Sequence, residues 1–369
     1  MKKVLFALSS MNIGGTEKAF LNLLDTLDPN EYDITLLLFE KKGGFLPLVP
    51  EWITVKVLDG YDSMKPEIMD PPLHVVKDHI RNRRFGRAFL LAATHLWFKL
   101  TKNRTPYYRC VLHGVADHAR YDTAIAYAGP FDFLSVYIAY CVTAKEKVQW
   151  IHFDVQKFQF NTETCRKLYR KMTKICVVSE SAKRSFLSKL PSATEKTVTC
   201  PNVVSERKCR EYAELGAGFE DDAPGLRLVT LGRLSQEKGQ DIVPEIAVRL
   251  RDAGVAFRWY LIGDGQLRPV IEQKIKANAL EESVILLGTQ PNPYPFLKQA
   301  DVYVQTSVHE GFCITLAEAK AFDLPIISTD CAGAHEQLDG RANCHVVART
   351  AEELFFAIKT EVERCLKSQ

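Results

Sequence analysis

Two repeating patterns of apolar and polar positions run through the chain. Residues 4–8 are apolar without a polar break, and 4–9 predict a strand buried on both faces. In residues 16–27 the apolar positions Ala19, Phe20, Leu23, Leu24 and Leu27 share one face of a helix. The hydroxyl of Thr16 is placed to cap that helix. Residues 33–39 predict the next strand, and later strands fall at 123–127, 147–152, 175–179 and 197–200. The alternation pauses near 203–225, where Asp221-Asp222-Ala223-Pro224-Gly225 reads as a linker. It then restarts with strands at 226–231, 257–263, 284–287, 302–305 and 326–329 and a helix over 241–253. This βαβ pattern predicts an α/β chain of two Rossmann-like domains with parallel sheets, their strand C-termini facing across a cleft. The domains are placed at 1–200 and 201–350. A closing helix within 351–369 is placed to cross back to the first domain.

One segment breaks the pattern. Residues 81–104 carry Arg81, Arg83, Arg84, Arg87, Lys99, Lys102 and Arg104, with no acid from His79 to Ala116. Phe85, Phe89, Leu90, Leu91, Leu96, Trp97, Phe98 and Leu100 interleave with them. This composition fits a helix lying on an anionic membrane surface. It equally fits a core-packed helix with solvated basic ends.

Composition narrows the class. A length of 369 residues suits two domains, and 46% hydrophobic with 25% charged residues suffices for two ordinary cores. A net charge of +3 argues against nucleic acid as the main partner. The ten cysteines include no CxxC pair and read as small buried hydrophobes of a reducing compartment. The apolar run at the start is too short for a signal peptide, and no run approaches the ~20 apolar residues of a membrane span. The expected location is the cytoplasm, either free or peripheral on the inner face of the cytoplasmic membrane.

The chemistry concentrates in two loops of the second domain. The stretch from Gln305 to Ala319 leaves a strand and enters a helix. Gly311 is expected to make a sharp turn, and the free amides near Cys313, Ile314, Thr315 and Leu316 suit a diphosphate. Glu310 precedes this helix and Glu318 lies inside it, spaced to accept hydrogen bonds from two groups of sugar hydroxyls. The second loop, Gly232-Arg233-Leu234-Ser235-Gln236-Glu237-Lys238-Gly239, follows the domain's first strand. Its two cations can clamp a diphosphate, the arginine through fork geometry and the lysine as a point charge.

The first stretch resembles the E-x7-E signature of retaining glycosyltransferases of family 4, which have the GT-B fold, in the type that serves bacterial cell-envelope polysaccharides. The second loop is similar to that family's G-R-L-x-x-E-K-G loop. The resemblance implies that Glu310 binds donor-sugar hydroxyls and Glu318 the nucleoside ribose. Arg233 and Lys238 then offset charge on the leaving group. Gly263, in Leu261-Ile262-Gly263-Asp264-Gly265, looks like the family's strand-end turn. Gly288 and Thr289 resemble the loop that meets the donor base through backbone atoms. Gly14 and Gly15 resemble the loop at the donor–acceptor junction, and His152 matches a first-domain histidine near the reacting carbon. The donor-binding set is completed by Gly232, Gly311 and Phe312. The resemblance covers the whole second domain and, more loosely, the first, which would hold the acceptor.

The reaction implied is hexosyl transfer from a nucleoside-diphosphate sugar, a UDP-sugar before a GDP-sugar, to a saccharide or lipid-linked acceptor. The chain contains no D-x-D pair to hold a metal, so no metal and no cofactor are expected. Retention without a convincing covalent nucleophile points to front-face attack. Two rivals stand beside this: a non-catalytic nucleotide-sugar-binding subunit and a GT-B nucleotide-sugar epimerase.

Overall fold

The computed structural model describes residues 1–129, 132–155, 161–223 and 225–368. The chain divides into two compact units, 1–203 and 204–369, each built on one parallel sheet.

The first domain runs β1 (Lys2–Leu8), α1 (Gly15–Leu24), β2 (Tyr32–Leu38), β3 (Thr54–Val57), α2 (Tyr61–Met69), α3 (Pro72–Arg81), α4 (Phe85–Thr101), α5 (Thr105–Val111), β4 (Arg120–Gly129), α6 (Asp132–Cys141), β5 (Thr143–Ile151), α7 (Thr162–Leu168), β6 (Lys174–Val177), α8 (Glu180–Lys189) and β7 (Thr197–Thr199). Its strand order is β3-β2-β1-β4-β5-β6-β7. The unbroken apolar run of β1 has a simple cause. Leu5 and Ala7 enter one core with Leu37, Ala124 and Ala126, while Val4, Phe6 and Leu8 enter the opposite core with Ile34, Leu36 and Leu38. Successive side chains leave a strand on alternate faces, and here both faces are covered.

The second domain runs α9 (Glu206–Ala213), β8 (Leu226–Leu231), α10 (Val243–Asp252), β9 (Phe257–Ile262), α11 (Arg268–Ala277), β10 (Val284–Gly288), α12 (Tyr294–Lys298), β11 (Val302–Gln305), α13 (Ile314–Ala319), β12 (Ile326–Thr329), α14 (Ala334–Leu338), β13 (Cys344–Val347) and α15 (Ala351–Ser368). Its order is β10-β9-β8-β11-β12-β13. Winding reverses between β8 and β11, as it does between β1 and β4 in the first domain. Such switch points open a crevice at the carboxyl ends of the strands.

Three readings of the sequence need correction. Helix α1 starts at Gly15, with extended Gly14 (φ −154°) as its uncapped boundary, so Thr16 lies inside the first turn and caps nothing. The stretch 203–225 is no plain linker. It holds α9, whose Cys209 and Ala213 pack into the second core, and Asp221, which receives bonds from Arg258 (2.7 Å) and the Tyr260 hydroxyl (2.7 Å). Two buried positions in eight residues are too few to show as a period. The second domain also takes Ala351, Leu354, Ile358 and Val362 of α15 into its core. Finally, α4 is not core-packed: only Ala88 and Leu91 are buried. Arg87 and Arg104 also leave the set of free surface charges. Arg87 bonds Glu67 (3.1 and 2.5 Å) and the Cys110 carbonyl (2.5 Å), and Arg104 lies over the rings of Phe98 and Tyr108. Among the described residues no helix is long and apolar enough to cross a membrane.

Candidate active site

The carboxyl ends of the second sheet bring the two predicted loops together at the β8–β11 switch point. Leaving β8, the chain is pinned by backbone bonds from Gly232 N–H to Ile262 (2.9 Å) and from Leu234 N–H to Asp264 (3.1 Å). The Gln240 side chain donates to the carbonyls of Gly232 (3.3 Å) and Arg233 (2.9 Å), closing the loop on itself. Lys238 then reaches across to Glu310, with Nζ 2.6 Å from Oε1. The same oxygen accepts from Ser307 Oγ (2.6 Å) and Gln305 Nε2 (3.3 Å), so Oε2 stands outside this network. Burial pulls the Lys238 pKa down, but the Glu310 carboxylate more than offsets it and the net shift is upward. The lysine is therefore held as an ammonium.

Gly239 ends this loop in the left-handed conformation (φ 64°), and a Cβ there would lie 2.6 Å from the Thr306 carbonyl oxygen. Only glycine lets the β8 loop lie this close to the β11 loop. The approach is fastened by Thr306 Oγ1 donating to the Lys238 carbonyl (2.9 Å) and by Val308 N–H donating to the Glu237 carbonyl (2.9 Å). Arg349 clamps both sides, donating to Thr306 O (3.1 Å) and Gly239 O (3.1 Å).

Arg233 is exposed, and no ion pair or hydrogen bond engages its guanidinium among the described residues. Glu237 nearby is held below the usual carboxylate range. Burial would raise it, but its own backbone amide, Ser235, Arg233 and Lys238 together prevail.

The chain bends at Gly311 and Phe312 on its way into α13. The left-handed residue of this turn is Cys313 (φ 61°). A non-glycine residue in that region costs ~1–3 kcal/mol and is kept only where its surroundings enforce it. Here Gln337 Nε2 bonds the carbonyls of Phe312 and Cys313, and Gly333 packs its backbone against Phe312. The helix has six residues and continues as a 3-10 turn over Lys320–Phe322. Leu316 N–H is already bonded to the Cys313 carbonyl (3.1 Å), which shortens the predicted row of free amides. Ile314 and Thr315 open the helix, and Thr315 Oγ1 donates to Gln305 Oε1 (3.1 Å). Glu318 is buried at 4% exposure and accepts from the Tyr294 hydroxyl (2.7 Å). Burial and the Glu318 charge push that phenol well above its usual range.

The glycines of the neighbouring strand ends gather as expected. A Cβ on Gly263 would fall 2.1 Å from the Gly232 carbonyl oxygen, and Gly263 N–H donates to Gly288 O (2.8 Å). Exposed Thr289 follows directly.

The first domain contributes a different set. Gly14 and Gly15 follow β1, and an added Cβ on Gly15 would meet no atom within 4 Å. His152 follows β5 and is 7% exposed, with its ring against Tyr127 (4.6 Å between centroids) and parallel to Trp150. Neither ring nitrogen has a hydrogen-bond partner among the described residues. Burial lowers its pKa to about 3, with the Tyr127 backbone pulling weakly the other way. The imidazole is neutral at any physiological pH.

Sequence reasoning missed Gly333, Gln337 and Arg349. Each is an isolated polar residue or glycine after a strand, with no spacing to mark it.

With this geometry in place, known proteins can be set beside the chain. Residues 225–363 match the model of the family described as glycosyl transferases group 1. An uncharacterized glycosyltransferase of Methanocaldococcus jannaschii is 31% identical over 163 residues, covering 42% of this chain and 39% of the relative. An N-acetylgalactosamine-N,N'-diacetylbacillosaminyl-diphospho-undecaprenol 4-alpha-N-acetylgalactosaminyltransferase of Campylobacter jejuni is 28% identical over 138 residues, covering 37% of each. The matched segment thus spans about two fifths of these relatives. Among solved structures, Anabaena HepE in complex with UDP and glucose superposes with a TM-score of 0.70 at 18% identity, over 100% of this chain and 91% of that one. The fold is accordingly the pair of Rossmann-like domains found in GT-B proteins. Within it, the second domain carries the group 1 glycosyltransferase match.

Proposed function

We propose that the protein is a retaining, metal-independent glycosyltransferase. It moves a hexosyl group from a nucleoside-diphosphate sugar, a UDP-sugar before a GDP-sugar, to a saccharide or lipid-linked acceptor in surface polysaccharide synthesis. The observation that carries this reading is the Lys238–Glu310 pair at the switch point, locked by Ser307, Gln305 and Thr306. A preassembled cation beside a carboxylate suits a ligand that is anionic at one end and hydroxylated at the other. Lys238 keeps protons for phosphate oxygens, and Glu310 keeps Oε2 for sugar hydroxyls.

In this reading Lys238 and Arg233 hold the diphosphate and stabilise charge as it develops on the departing oxygen. The amides of Cys313, Ile314 and Thr315 supply further donors, Glu318 takes the ribose, and Gly288 and Thr289 meet the base. The acceptor hydroxyl attacks the anomeric carbon on the face the phosphate leaves. The carbon–phosphate-oxygen bond breaks, the new glycosidic bond forms, and the departing phosphate oxygen takes the acceptor proton. His152, neutral and without partners for its ring nitrogens, is assigned to hydrogen bonding with sugar and not to proton transfer. The name of the Campylobacter jejuni relative specifies a polyprenyl-diphosphate acceptor, which supports a lipid-linked acceptor here. A membrane surface meeting residues 81–104 would present such a substrate.

A thermal-shift series with UDP, GDP and their sugars tests the donor site, because a ligand bound only by the native state raises Tm by mass action. UDP should raise Tm in the wild type and fail to do so in Lys238→Ala. Equal shifts in both would overturn the assignment.

A further inference from the structure

Outside the donor site, α4 carries a run of exposed large apolar side chains. Its 17 residues extend ~25 Å. The face turned to its own domain holds buried Ala88 and Leu91 together with the bonded Arg87. The face turned outward is apolar. Phe85, Phe89, Leu96 and Leu100 are 63%, 72%, 58% and 75% exposed. At roughly 100° per residue they fall within ~60° of one another. Leu90 and Trp97, each 51% exposed, widen the band, and exposed Gly86, Ala92 and Ala93 fill it. No charged side chain falls inside this arc. Water is the wrong solvent for such a face, since a surface helix ordinarily turns its apolar stripe inward.

Cations bracket the band. Arg81 at the end of α3 and Arg83 and Arg84 in the turn before α4 are exposed, and Lys99 and Lys102 are exposed at the other end of α4. None of the five has a carboxylate partner among the described residues, and the sequence holds no acid from 79 to 116.

We propose that α4 is a membrane-docking helix that lies flat in an anionic lipid interface. Its Phe85–Leu100 band is sunk toward the acyl chains, and the five flanking cations sit among the headgroup phosphates. A second copy of the chain fits less well, because pairing two such faces would bring ten cations together. The inference names the surface on which the proposed acceptor would be met, and it stands on α4 alone.

The test is co-sedimentation of the full chain with vesicles, using phosphatidylcholine alone and phosphatidylcholine enriched in phosphatidylglycerol, together with Trp97 emission. The expected result is binding to the anionic vesicles only, with a blue shift that Trp97→Phe removes. The triple variant Arg81→Glu, Arg83→Glu, Arg84→Glu should lower the partition coefficient by roughly 100-fold. Phe89→Ser with Leu96→Ser should abolish insertion without altering the circular dichroism spectrum, because both side chains are solvent-facing. Wild-type binding equal on neutral and anionic vesicles, or unchanged in these variants, would overturn the proposal. So would a wild-type dimer in sedimentation equilibrium that the serine variant dissociates. UDP-induced stabilisation, measured in parallel, reports on the donor site separately, so failure of either reading is seen independently of the other.

Discussion

Each sheet reverses its winding beside its first strand, yet the two switch points are built in opposite ways. Between β8 and β11 the loops are charged and heavily cross-bonded: Lys238 to Glu310, Thr306 to Lys238, Arg349 to both sides. At the carboxyl end of the first sheet the corresponding groups are Gly15, with open space over its Cα, and His152, a neutral imidazole packed on Tyr127 with both nitrogens unpartnered. A polar cluster satisfied in advance can meet a charged ligand without reorganising. A buried imidazole with no hydrogen-bond partner among the described residues is costly by itself. The same reversal of strand order thus carries a charged, cross-bonded cluster in one domain and a neutral histidine packed on aromatic rings in the other.

The largest effect that would break this comparison is on catalysis. Lys238→Ala should reduce kcat by ~10²–10³-fold, the scale of losing one electrostatic contact to a developing oxyanion. A steady-state assay with the donor that gives the largest thermal shift checks this. A loss confined to KM would move Lys238 from transition-state stabilisation to simple binding. Next comes the geometry of the cradle. Gly239→Ala forces a Cβ to within 2.6 Å of Thr306 O in a left-handed residue and should cost at least ~1–3 kcal/mol in urea unfolding.

The third test uses pH. His152 has its pKa lowered to about 3 in the folded chain, while the unfolded chain takes up that proton near pH 6.5. Between these values the unfolded state binds more protons, so stability falls as pH drops through 6.5 toward 3. The slope from this residue is at most ~1.4 kcal/mol per pH unit. His152→Phe should therefore flatten the acid limb of a Tm-versus-pH curve, and an unchanged limb would contradict the buried neutral imidazole. The smallest effect is expected at Gly15→Ala. Nothing lies within 4 Å of the new methyl, so stability should stay within ~0.5 kcal/mol of wild type. The contrast with Gly239→Ala is the sharpest measure of how differently the two glycine loops are used.

Much of this was legible in the pattern of residues. The inner strands announced themselves because both faces are buried, as at Val4–Leu8. Strands β3 and β13 were missed because they contain no fully buried position: β3 is mostly exposed and β13 half-buried. Arg233, Lys238, Glu310 and Glu318 were found by spacing. Which of them pair was not, since Lys238 and Glu310 are 72 residues apart and meet only through strand order. The sharp turn at Gly311 was read from the sequence, whereas the left-handed backbone of Cys313 was not, because Gln337 and Gly333 hold it from outside the motif.

By itself, the order of apolar and polar residues determined the class of architecture and the composition of the loops after β8 and β11, because both depend on local period and on which residue types sit near each other in the chain. Tertiary structure alone decided that Lys238 is charged against Glu310, that Glu318 is buried under Tyr294, that His152 has no proton partner and that the apolar side of α4 faces outward. Each of those facts concerns burial or contact between distant segments, and neither burial nor distant contact is a property of sequence neighbours.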